Sequence, residues 1–344
     1  MRRTRTYTPS AVLRETPRVA GGGHDRAELV AAAAESIAKG SKSFARASQL
    51  FDKQTRERAQ LLYAWCRRCD DIADGQDHGG ELRDDGSDAK DRVEALRILS
   101  HRAIDGQPTA DLAFDALGQV AAECGLTHEM ADDVIDGFAL DAMEWHPRTE
   151  GDLMRYCFHV AGAVGVMMAR VMGVPANDED TLDRACDLGL AFQLGNIARD
   201  ICEDDAADRC YLPEEWLVEM DIPPGEHMKP AYRAELVMLV RRLVDLAQEH
   251  EAAARLGAAR LPFRSRWAVL AAANIYGAIG REVAAKGSAA WDHRVYTSKA
   301  AKLAFVARAF WQALINRPPA AKVPKWTRSS LEAMADADER LIRP

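Results

Sequence analysis

The 344-residue chain has no long hydrophobic run. Its most apolar stretch, Val160 to Met168, is about half of the ~18–20 residues that a membrane-spanning helix needs, and two glycines interrupt it. It also has no basic excess. There are 45 Lys and Arg against 53 Asp and Glu, a net charge of −8, which argues against a nucleic-acid partner because phosphate backbones are held by cations. Smaller anions could still be taken by local arginines. Near the N-terminus Arg2, Arg3, Arg5, Arg14, Arg18 and Arg26 occur without the apolar segment of a secretory signal. Residues 1–25 therefore read as a disordered basic arm. A disulfide framework is missing too. The seven cysteines are odd in number and scattered, which suggests reduced thiols in a cytoplasmic setting. Cys66 and Cys69 make a CxxC, but inside a helical pattern and with no second pair, so packing is the better reading. Finally, no segment alternates polar and apolar residues between hairpin turns.

What is present is helical. Hydrophobic residues at 48% exclude a disordered chain. Ala, Leu, Arg and Glu dominate, all good helix formers. The spacing predicts helices over 26–39, 52–74, 89–105, 109–124, 127–143, 151–172, 177–204, 231–255, 265–286 and 298–316, separated by Gly and Pro. The fold class is all-α. Residues 26–316 read as a single domain, and Pro318, Pro319 and Pro324 mark 317–344 as an irregular tail.

Two helices carry acidic stripes. In the segment from Leu61 to Asp74, Asp70 and Asp74 stand at i and i+4 and share a face with Arg67 and Tyr63. In the segment from Leu190 to Asp204, Gln193, Asn196, Asp200 and Asp204 fall on one line beside the apolar Leu190, Leu194, Ile197 and Ile201. Carboxylates set against apolar surface need a partner. Oxygen donors without histidine point to Mg²⁺ or Mn²⁺, which takes one or two carboxylates and completes its shell with water and substrate phosphate. Arg67, Arg199 and Arg209 could grip a diphosphate. Spacing alone is weak evidence, because Asp132/Asp136, Asp84/Asp88 and Asp204/Asp208 repeat it.

Further motifs sharpen the reading. Gly40-Ser-Lys-Ser-Phe-Ala45, Tyr63-Ala-Trp-Cys-Arg-Arg-Cys-Asp-Asp-Ile-Ala-Asp74, Tyr156-Cys-Phe-His-Val-Ala-Gly-Ala-Val-Gly165 and Gln193 to Pro213 together resemble the squalene/phytoene synthase family over about residues 38 to 305. The wording is nearest to its bacterial phytoene synthases of carotenoid pathways. Gly195 departs from the pattern, which usually has a side chain before the Asn.

The resemblance implies an isoprenoid synthase helical bundle with a central apolar cavity. It implies a prenyltransferase that joins two geranylgeranyl diphosphates, through prephytoene diphosphate, into phytoene. Mg²⁺ would be needed and NADPH would not. Asp70, Asp74, Asn196, Asp200 and Asp204 would hold metal. Ser41, Lys42, Ser43, Tyr63, Arg67, Gln193, Arg199 and Arg209 would meet diphosphate, and Phe44, Tyr156 and Tyr276 would border the carbocation. The small, Met-containing run Val160–Met168 could line the prenyl tunnel or permit tight helix contact. Squalene or dehydrosqualene synthesis from farnesyl diphosphate is the rival reading, since it uses the same metal residues. An elongating prenyltransferase or an inert helical scaffold fits the motifs less well. The lipid nature of the substrate allows a transient, peripheral membrane contact, while oligomeric state is not legible.

Overall fold

The structure, a computed structural model, describes residues 23–40, 45, 47–73, 89–143 and 145–342. The described residues contain no β-strand. Among the described residues thirteen helices follow one another: α1 (Arg26–Gly40), α2 (Lys53–Ala73), α3 (Ala89–Ile104), α4 (Leu112–Cys124), α5 (His128–Ala142), α6 (Glu150–Cys157), α7 (Ala163–Val171), α8 (Glu179–Ala206), α9 (Glu214–Glu219), α10 (Arg233–Ala258), α11 (Phe263–Lys286), α12 (Lys299–Ile315) and α13 (Arg328–Ile342). None is long and apolar enough to cross a membrane.

Their ends follow local chemistry. Thr149 and Asp152 form a reciprocal capping box that starts α6. Asp111, Thr127, Asp178 and Ser298 each accept a backbone N–H at a helix start. Gly125 ends α4 in the left-handed region with φ of 66°, where a side chain would be strained.

The chain divides into two compact units, Met1–Glu144 with Met167–Asn177, and Trp145–Val166 with Asp178–Pro344. In the first, α1, α3 and α4 pack around α2. Leu61, Leu62, Trp65, Leu96, Phe114 and Leu117 are fully buried there, and the Trp65 indole N–H donates to Ser100 Oγ at 3.0 Å. In the second, α8 runs along α10, and α11 packs on both and on α12. Leu190, Leu194, Leu236, Leu239 and Leu243 fill it.

Three elements differ from the sequence expectation. The segment 151–172 is not one regular helix, because Phe158–Gly162 forms a π-helical turn between α6 and α7. This turn lies where the chain presses closest on α8: a Cβ on Gly189 would sit 2.2 Å from the Ala161 carbonyl oxygen, and one on Gly165 would sit 2.3 Å from that of Ala185. Second, the short α9 follows Pro213, where the sequence spacing predicts no helix. Third, the tail expected to be irregular over 317–344 is so only as far as Thr327. Beyond it α13 forms because Leu331 and Ala335 bury one face, while Arg328 pairs with Asp183 at 2.7 Å, with Glu179 and with Glu332.

The cysteine expectation agrees with the structure: all seven thiols are free. Burial pushes the Cys66 thiol up to about 12, so it stays protonated and unreactive at neutral pH.

Candidate active site

The first acidic stripe lies on α2. Tyr63, Arg67 and Asp70 are all partly exposed along one side of the helix. The Arg67 guanidinium donates to Asp70 Oδ2 at 2.8 Å and pairs with the buried Asp71 at 2.7 Å. Asp71 therefore fixes the arginine, while 47% of the Asp70 side chain faces solvent. Tyr63 reaches back along α1, where its hydroxyl would stand 3.0 Å from a Cβ at Gly40. Ser41, Lys42, Ser43, Phe44 and Asp74 lie outside the described residues.

The second stripe lies on α8, in the other unit. Gln193, Asn196, Asp200 and Asp204 are partly exposed on one line, while Leu190, Leu194, Ile197 and Ile201 are buried beside it. Asp200 is gripped from two sides. Arg199 donates through Nε at 2.6 Å, and Arg294 forms a two-pronged contact at 3.0 Å for each nitrogen. Arg294 is brought there by its neighbour Trp291, whose indole N–H donates to the Ala198 carbonyl at 3.1 Å. Asp204 has no such clasp. Burial and the charge of Asp200 push its carboxyl up to about 6, against the pull of Arg209 and Arg199. The Arg209 backbone N–H donates to the Asp204 carbonyl at 2.8 Å, which holds the 209–213 segment over the helix end.

This donor set fits a hard divalent cation. Oxygen groups line up along one face, and burial beside the Asp200 charge raises the Asp204 carboxyl, a cost that a cation there would relieve. Among the described residues no three of His, Cys, Asp and Glu gather as a closed cage.

The two tyrosines expected at the site lie on different elements, Tyr156 on α6 and Tyr276 on α11. Tyr156, 4% exposed, stacks on Trp145 at 5.7 Å and on Tyr211 at 4.9 Å. Tyr211 belongs to the 209–213 segment, so the aromatic column ties that segment to α6. Tyr276, 38% exposed, stacks on Phe192 at 4.3 Å and is close enough to Arg199 to interact electrostatically. A narrow groove runs beside it, lined by Ala191, Phe192, Gly195, Val244, Ala247 and Gly280, with Gln248 and Glu251 as its polar members. A Cβ on Gly195 would meet nothing within 4 Å, so the missing side chain leaves open space there. Along Val160–Met168, Gly162 and Gly165 serve tight packing on α8, whereas Val160, Ala161, Val164 and Met168 are partly exposed.

The look-alike pair on α5 is structural. Arg97, buried, donates to Asp132 at 2.7 Å and to Asp136 at 2.6 Å, and His101 lies 2.9 Å from Asp132. Sequence reasoning missed Arg294, Trp145 and Tyr211. Arg294 is 94 residues from Asp200, and no spacing rule links the two.

A family model described as squalene/phytoene synthase matches residues 37–301. A phytoene synthase of Pseudescherichia vulneris is 47% identical over 275 residues, covering 80% of this chain and 88% of the relative. A 15-cis-phytoene synthase of Pantoea ananas is 44% identical over 286 residues, covering 83% and 92%. Among solved structures, a dehydrosqualene synthase in complex with ligand superposes with a TM-score of 0.74 at 25% identity, over 85% of this chain and 98% of that one. A squalene synthase from Alicyclobacillus acidocaldarius gives 0.69 at 22% identity, over 79% and 98%. The helices are thus those of the isoprenoid synthase fold. The chain belongs to the squalene/phytoene synthase family.

Proposed function

We propose that this protein is a phytoene synthase: it joins two molecules of geranylgeranyl diphosphate through a cyclopropyl diphosphate and converts that intermediate to phytoene. The observation that carries the reading is the 42–47% identity, over at least four fifths of the chain, to four bacterial proteins named phytoene synthase. The condensation expels both diphosphates and sheds two protons, so it consumes no reductant.

Asp200, Asp204 and Asn196, and on the first stripe Asp70 with Asp74, are the residues that would hold Mg²⁺. When bound, the cation supplies positive charge to the leaving diphosphate. The protein's own part is electrostatic and positional. Arg199 and Arg294 already converge on Asp200, and Arg209 stands over Asp204. These three guanidiniums can turn to diphosphate oxygens as charge develops on them. Gln193 extends the same polar line. Tyr276 presents an exposed ring and hydroxyl at the mouth of the groove, suited to steady a nearby carbocation. The open space beside Gly195 is the place offered to part of a prenyl chain. Tyr156 supports the 209–213 segment through Tyr211, and so helps keep water from the cation.

The structural likeness to a dehydrosqualene synthase favours one rival, condensation of two farnesyl diphosphates. The two readings separate by chain length of the preferred substrate. The site itself is tested by pyrophosphate release from geranylgeranyl diphosphate. Wild type should release it with Mg²⁺ and not in EDTA. Asp200→Ala should release none while keeping its helical circular dichroism. Turnover by wild type in EDTA would overturn the assignment of these carboxylates.

A further inference from the structure

The outer face of α12 is neither polar nor covered. Leu303 is 72% exposed, Trp311 61%, Leu314 56% and Ile315 60%. With Ala307 they recur at helical spacing, so they form one stripe. The clustering is not chance scatter. Six of the thirteen large apolar side chains exposed among the described residues fall within 296–323. An apolar stripe of this kind marks a contact surface.

Charge says what the contact is. No Asp or Glu occurs between Asp292 and Glu332, a span with eight Lys and Arg in a chain of net charge −8. Five of these, Lys299, Lys302, Arg308, Arg317 and Lys322, have no carboxylate partner among the described residues. Arg308 also edges a cavity of about 300 Å³. There Arg255 and Arg281 hold the buried Glu251 at 2.5 and 2.9 Å, which leaves no carboxylate over for Arg308. A second copy of the chain docking by the same face would set these cations against each other. Covering by residues 1–22 would do the same, since that segment is basic as well.

We infer that α12 is a membrane-docking helix: its Leu303–Ile315 stripe enters the interface of a bilayer rich in anionic phospholipid, and the flanking cations, Arg308 foremost, take the headgroup phosphates. The combination of an apolar stripe, an exposed tryptophan and a basic margin is what such surfaces require. It stands on exposure and charge alone, independent of which prenyl diphosphate the enzyme takes.

Flotation of the full-length protein tests it. Vesicles of phosphatidylcholine mixed with phosphatidylglycerol should carry wild type upward, and added salt should release it. Pure phosphatidylcholine vesicles should carry little. Trp311→Ser with Leu314→Ser, and separately Lys299→Glu with Arg308→Glu, should each lower the bound fraction about tenfold. Both should release pyrophosphate normally from detergent-dispersed substrate. Leu303→Ser, at the most exposed position, gives a third variant should the first pair lose helicity. Failure of wild type to float with anionic vesicles overturns the inference, as does undiminished flotation of both double variants. A wild-type dimer that Trp311→Ser with Leu314→Ser dissociates, with no vesicle capture, would instead assign the face to a second copy.

Discussion

Two carboxylate pairs share one spacing and do different work, and the difference lies in what faces them. Asp132 and Asp136 close on the buried Arg97, so both carboxylates already have a cation inside the protein. Asp200 and Asp204 leave one carboxyl raised to about 6 by burial and by its neighbour, a charge deficit suited to a substrate-borne or cationic partner. Asp136→Asn should therefore cost about 1.5–3 kcal/mol of stability, because it removes one of the two carboxylates that hold a buried guanidinium, with kcat little changed once folded. Denaturant melts and pyrophosphate assays together check this, and a kcat collapse at full stability would contradict it. Arg294→Gln should do the reverse, lowering kcat/KM by about 10–100-fold with an unchanged melting temperature. Glu123 supplies a pH signature. Burial works to keep its proton on, but hydrogen bonds from Arg26, Arg58 and Gln119 outweigh this and bring it down to about 2 from an ordinary 4.5. Its folded-state value is depressed, so its stabilising effect is fully present above pH 4.5 and is lost as pH falls toward 2. The stability margin of wild type over Glu123→Gln should shrink between neutrality and about pH 3. A margin that does not move would refute this. At this scale the sequence showed the spacing of each pair. It could not show Arg97 or Arg294, which arrive from distant segments.

Helices pack here by omission of side chains. Gly189 and Gly165 let the π-helical turn and α7 lie on α8 with carbonyl oxygens where a Cβ would stand. Gly165→Leu should cost about 3 kcal/mol or prevent folding. Gly195, on the same helix as Gly189, is the opposite case. Nothing stands within 4 Å of its Cβ position, so Gly195→Ala should stabilise the protein by about 1 kcal/mol, read as a raised melting temperature. Larger residues such as Leu at 195 should narrow the groove and shift preference to a shorter prenyl chain. Unchanged use of the C20 substrate would remove the groove from the account. Ten helical segments were legible because their apolar periodicity and breakers agree, although one of them, 151–172, is α6 and α7 on either side of a π-helical turn. The two that escaped, α9 and α13, are short or held by partners far along the chain. Arg328 draws its carboxylates from Glu179 and Asp183, about 145 residues away. The π-helical turn carries no periodic signal at all.

For the whole molecule, composition already argued against a membrane span, a disulfide-stapled domain and a nucleic-acid binder, since these depend on totals and on run length. The family was legible from motif wording. Chain-length choice was not, because squalene and phytoene synthesis draw on the same carboxylates and differ in the room beyond them. The most direct measurement is the identity of the hydrocarbon. The purified protein is given geranylgeranyl or farnesyl diphosphate with Mg²⁺, with and without NADPH, and the product is extracted and chromatographed. Phytoene from the C20 substrate, with two diphosphates released per molecule and no need of NADPH, is the expected result. A C30 product from farnesyl diphosphate in preference, or a strict demand for NADPH, would contradict it.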